Sequence, residues 1–152
     1  MEESYLFNPF VTKCSNEEIA KEYRRLQNMV LDECNSPREY AHNIEVYADM
    51  NYLLGEMIAR YNYEYILLKN TIKIEESMFL QKSRDEWLET HTGKAPAISY
   101  FEALATAQVQ DKLKQLARCE SNLRRFKNAY ESIQEKANAI KKQLEALKYE
   151  TV

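Results

Sequence analysis

Two glycines and three prolines in 152 residues leave this chain few places to turn. Glycine supplies the backbone freedom of tight turns, and proline interrupts regular structure, so their scarcity predicts long uninterrupted helices. Two breaks remain: Cys34-Asn35-Ser36 and His91-Thr92-Gly93-Lys94-Ala95-Pro96. The length predicts a single helical domain, 1–152.

The helix starts are marked by a repeated signal. A serine followed three residues later by glutamate lets each side chain satisfy an orphan amide at a helix start. Ser15–Glu18, Ser36–Glu39 and Ser99–Glu102 have this form. Pro37 follows Ser36, at the first helical position, where its missing N–H costs nothing. Together these signals predict a short helix over 15–34 and long helices over 37–90 and 99–148. The 37–90 helix would be roughly 80 Å long at ~1.5 Å per residue.

Both long segments carry an apolar seam with alternating steps of four and three. In the first it runs Tyr40, Ile44, Tyr47, Asn51, Leu54, Ile58, Tyr61, Tyr65, Leu68, Ile72, Glu75, Phe79. In the second it runs Val109, Leu113, Leu116, Leu123, Tyr130, Ile133, Ala137, Ile140, Leu144, Leu147. A sustained 3.5-residue period predicts supercoiled pairing, and a short connection makes the two helices antiparallel neighbours. The expected fold is therefore all-α: a long, coiled-coil-like antiparallel hairpin with a shorter N-terminal helix. A further apolar set, Val46, Met50, Leu53 and Met57, is more than one partner helix can cover. The first helix and other copies of the chain are the candidates to bury it, so a homo-oligomer is expected. Gly55, inside the long helix, predicts a kink or a close helix crossing.

Charge is polarised along the chain. Residues 1–64 hold 12 acids and 6 bases, 65–110 hold 6 and 5, and 111–152 hold 6 and 10, for a net of -3. Such a gradient suits an acidic partner at one end, head-to-tail self-pairing, or pairing of the chain's own helices. The acidic start MEESYLFNPF lacks the apolar core of a secretory signal. No apolar run approaches the roughly 18 residues of a membrane span. Cys14, Cys34 and Cys119 are far apart and odd in number, which reads as reduced thiols and a cytoplasmic setting (a host cytoplasm if the chain is viral).

Little in the sequence points to catalysis. Gly93-Lys94 lacks the upstream glycine, the following Ser or Thr, and the preceding strand of a phosphate-binding loop. Glu39-x-x-His42 has the spacing used by carboxylate-bridged metal sites in helical bundles, but such sites need a second copy of the motif. Glu39 reads better as a cap and His42 as a half-exposed surface residue. No Ser/His/Asp or Cys/His arrangement is evident. The expectation is a non-enzyme without metal or cofactor.

What remains is a set of cations and one ring at the end of the second helix: Lys82, Arg84, Trp87 and Lys94. Cations take phosphates and a ring stacks on a base, so this set is a candidate contact for single-stranded DNA. The plainer reading is that the cations answer the helix dipole and Trp87 is hairpin core. Tyr63, which lies off the seam, is a further candidate to stack on a base or a partner. A second basic group, Arg118, Arg124, Arg125 and Lys127, is more diffuse.

The order of these features resembles the T4-type phage recombination mediators, the UvsY-like proteins. A long helix with Tyr40, Asn43 and Tyr47 near its start ends in Lys82-Ser83-Arg84 and Trp87. A Gly-containing turn follows, then Leu104-Ala105-Thr106-Ala107, Ser121-Asn122-Leu123 and Asn138-Ala139-Ile140-Lys141. The likeness covers roughly residues 37 to 145. It implies a ring-forming homo-oligomer that helps load a recombinase onto single-stranded DNA coated by a single-strand-binding protein. In it, Lys82 and Arg84 match the basic pair that contacts the strand. The alternatives are a virion or scaffold component that binds only proteins, a small inhibitor of a host enzyme, and a carboxylate metalloenzyme.

Overall fold

The computed structural model describes residues 13–150. They form four α-helices and no strand: α1 Asn16–Met29, α2 Pro37–Thr90, α3 Ile98–Gln108 and α4 Gln110–Glu150. The chain is all-α, and α2 fills the whole span that the sequence predicts for it. None of the described helices is long and apolar enough to cross a membrane.

The first two capping signals act as expected. The Ser15 hydroxyl accepts from the Glu18 N–H at 3.1 Å, and the Glu18 carboxylate accepts from the Ser15 N–H at 3.0 Å. At the start of α2, Glu39 Oε2 accepts from the Asn35 N–H at 2.7 Å and from the Ser36 hydroxyl at 3.1 Å. These bonds hold the Glu39 carboxyl below its ordinary range.

Helix α1 stops at Met29, five residues short of the predicted end, because the next turn is captured from outside. The buried Asn43 amide accepts from the Leu31 N–H at 2.8 Å and donates to the Leu31 carbonyl at 2.9 Å. It thereby stands in for the helical partners of that residue. Val30 is already extended, with φ -67° and ψ 127°. His42 Nε2 donates to the Met29 carbonyl at 2.9 Å, meeting one of the helix's orphan acceptors.

The predicted third helix is two. Val109 leaves helical geometry, with φ -100° and ψ 14°, and its N–H turns to the Ala107 carbonyl. Phe101, Ala105 and Val109 are all buried. Steps of four drift about 40° per step around a helix. The interruption ends that drift, so that α4 takes up its own seam. Helix α3 also starts one residue before Ser99. Its N-cap is Ala97, with no side-chain bond, so the third capping signal does not form. Pro96 favours the extended backbone at that junction and sets the start instead.

The described residues divide into two compact units. The first comprises 13–60 with 124–150. Its core is Ile19 and Leu26 from α1, Val46, Met50, Leu53, Leu54 and Met57 from α2, and Ile133 from α4, all buried. Arg60 Nη1 donates to Asn16 Oδ1 at 2.8 Å, tying the start of α1 to α2. The set Val46, Met50, Leu53 and Met57 is thus covered within one chain, α1 supplying part of the cover. Gly55 does not mark a close crossing: a Cβ placed there meets nothing within 4 Å.

The second unit comprises 61–123. Ile72, Phe101, Ala105, Val109, Cys119 and Leu123 are its buried apolar residues. The Cys119 thiol donates to the Tyr61 carbonyl at 3.3 Å, and Lys112 pairs with Glu75.

Candidate nucleic-acid interface

The last turns of α2 build one aromatic feature. Trp87 and His91 are four residues apart, which places them one above the other on a helix. Their rings lie 4.8 Å apart at an interplanar angle of 2°, a flat stack. The backbone continues helically into it, since the His91 N–H donates to the Trp87 carbonyl at 3.0 Å. The Thr90 hydroxyl folds back to the Glu86 carbonyl at 2.8 Å and lies 2.8 Å from His91 Nδ1, which steadies the imidazole. The chain then bends at Gly93, whose φ of 113° a side chain would strain. Gly93-Lys94 is first of all a corner.

The four candidate residues are only partly gathered. Arg84 lies one turn before Trp87, so Arg84, Trp87 and His91 share a side of α2. Arg84 is exposed and Trp87 half-buried, while Lys94 is exposed in the turn beyond. Lys82 lies about 200° around the helix from Arg84. There it faces Glu86 at 3.9 Å, both side chains well exposed. A pair so open to water holds little energy and leaves Lys82 in an acidic neighbourhood. His91 was missed in the sequence, although its spacing from Trp87 was there to be read.

The remaining chemistry-bearing groups are engaged or quiet. Glu39 caps α2, and His42 binds the Met29 carbonyl. Burial pushes the thiols of Cys14, Cys34 and Cys119 up, which disfavours the thiolate that nucleophilic or metal chemistry requires. Among the described residues, no group of three or more His, Cys, Asp or Glu side chains converges as a metal site. The first unit holds an open cavity of about 630 Å³ lined in part by Tyr47, Asn51, Gly55, Tyr130 and Lys141. Asn51 Oδ1 is buried there without a partner. Of the second basic group, Arg118 belongs to one unit and Arg124, Arg125 and Lys127 to the other.

Compared with models of protein families, with curated proteins and with solved structures, the chain matches none.

Proposed function

We propose that this chain is a non-enzymatic, self-associating helical accessory protein that binds single-stranded DNA through the end of α2. The observation that supports this reading is the side shared by Arg84, Trp87 and His91, with Lys94 in the next turn. A guanidinium beside a flat aromatic stack offers one group to a phosphate and one to a base, without any demand on sequence. The segments of α2 and α4 run as an antiparallel hairpin in this reading. The pairs Tyr61–Cys119 and Glu75–Lys112 support it, since the partner's number falls as the other rises. By its resemblance to the phage recombination mediators, its partners are a recombinase and a single-strand-binding protein.

Each copy contributes few phosphate contacts, so affinity arises from several copies on one strand. Salt-titrated fluorescence anisotropy with a labelled oligonucleotide tests this. Binding should weaken steeply with salt. Trp87→Ala should reduce affinity about tenfold through lost stacking. Arg84→Ala should weaken binding and flatten the salt dependence by about one charge. Lys82→Ala should do the least of the three. Absence of binding at low salt defeats the reading.

A second reading is a scaffold protein that binds only other proteins. The observation in its favour is the bare apolar face of α2 in the second unit. Size-exclusion chromatography with and without oligonucleotide separates the two.

A further inference from the structure

One face of α2 is apolar, uncharged and, among the described residues, exposed. Tyr63, Ile66, Leu67, Ile74 and Met78 are between 50% and 68% exposed. Tyr63, Leu67, Asn70, Ile74, Ser77 and Gln81 recur in steps of four and three, with Ile66 and Met78 at their flanks. The repeat is displaced by two residues, about 200° of helix, from the seam Tyr61, Tyr65, Leu68, Ile72 and Phe79. It therefore lies largely away from the side that α2 buries within its own chain, with Leu67 at its edge, where it also lines an open groove with Gln115 and Cys119 of α4. A face built for water carries charges, and none of these eight positions does. A sustained 3.5-residue repeat is the pattern that a partner helix recognises.

We propose that this face is the docking surface for a second copy of this chain, α2 against α2, parallel and in register. The inference deepens the self-association in the proposed function and does not depend on DNA. The five exposed apolar side chains offer roughly 600 Å² per copy, somewhat below the about 800 Å² per partner of a standard interface. That area suits a weak, concentration-dependent dimer.

Register follows from the polar positions. Parallel pairing sets Leu67 against Leu67 of the second copy, Ile74 against Ile74, and Asn70 against Asn70, where the two amides bond each other. A single seam asparagine fixes register in this way at some cost in stability. Antiparallel pairing sets Asn70 against Ile74 and Leu67 against Ser77, burying amide and hydroxyl against hydrocarbon. The contact is two-fold, the same patch on both copies. It ends before Arg84, whose guanidinium at the next seam position meets its own copy and repels it. Two Arg84–Trp87–His91 faces then lie at one end of one dimer and can share a strand.

Sedimentation velocity of the full chain, from about 1 to 100 μM, reads the dimer directly. Wild type should shift from monomer to dimer across this range. Leu67→Glu with Ile74→Glu should weaken association at least tenfold, with unchanged helicity by circular dichroism, because both positions face water in the monomer. Ser77→Cys, oxidised with copper phenanthroline in air, should give a disulfide-linked dimer that wild type, treated identically, does not. A monomer at every concentration overturns the proposal, as does a double variant that associates like wild type. Dimers without Ser77→Cys cross-linking overturn the parallel register. Trp87→Ala with Lys94→Ala, both off the seam, should weaken oligonucleotide binding and still sediment as wild type. If wild type dimerises through this face and binds no oligonucleotide, the DNA reading fails and the interface stands.

Discussion

The two halves of α2 belong to one unbroken helix and are treated oppositely. Before Tyr61, Asn43, Val46, Met50, Leu53, Leu54 and Met57 are buried, and Tyr52 is the one large apolar residue of that half that is exposed. From Tyr61 onward only Ile72 is buried, while Tyr63, Ile66, Leu67, Ile74, Met78 and Leu88 are exposed. Local propensity does not separate them, since both halves are helical throughout. The difference is α1, whose Ile19 and Leu26 belong to the first unit's core and have no counterpart, among the described residues, against the exposed face of the second half. A helix of this length can thus be finished by its own chain at one end and left to be finished by something else at the other.

The largest predicted effect contrasts two leucines on this helix. Leu53→Ala, at a fully enclosed position, should cost about 3 kcal/mol in urea unfolding. Leu67→Ala should change stability by about 0.5 kcal/mol or less in dilute protein. Equal costs would erase the distinction between the halves. Next is Asn43→Ala, which strips both partners from Leu31 and should cost about 2 kcal/mol. It should also speed amide exchange around residues 29–31 more than in the rest of α1. A cost shared evenly along α1 would mean that Asn43 is not what ends that helix.

A further substitution in the covered half has the opposite sign. Gly55→Ala meets no atom within 4 Å. It removes a helix-interior glycine, so it should raise stability by about 1 kcal/mol. A loss would reveal a close neighbour at this position and make the covered half tighter than its geometry indicates. Acid should act at the start of α2 as well. Glu39 is held below its ordinary carboxyl value by the Asn35 N–H and the Ser36 hydroxyl. Its contribution is whole above the ordinary value and is lost as pH falls through the lowered one.

The helical class, the full extent of α2 and the caps at Ser15 and Ser36 were legible in the sequence, because they rest on local signals. The end of α1 was not, since it depends on Asn43, twelve residues beyond Leu31. The break at Val109 was not, since it contains neither glycine nor proline and answers to burial on both sides. The apolar set at Val46, Met50, Leu53 and Met57 was visible, but its cover was not, because periodicity names a face and never its partner. At the candidate site, Trp87 and Arg84 were found by residue type. Their separation from Lys82 follows only once helix phase is applied, and His91 enters only through its ring stack.

Deuterium exchange along α2 at two protein concentrations tests the central contrast most directly. The account predicts strong protection over 43–57 that is independent of concentration. Over 63–78 it predicts faster exchange in dilute protein that slows as concentration rises. Uniform protection along the whole helix at both concentrations would contradict it.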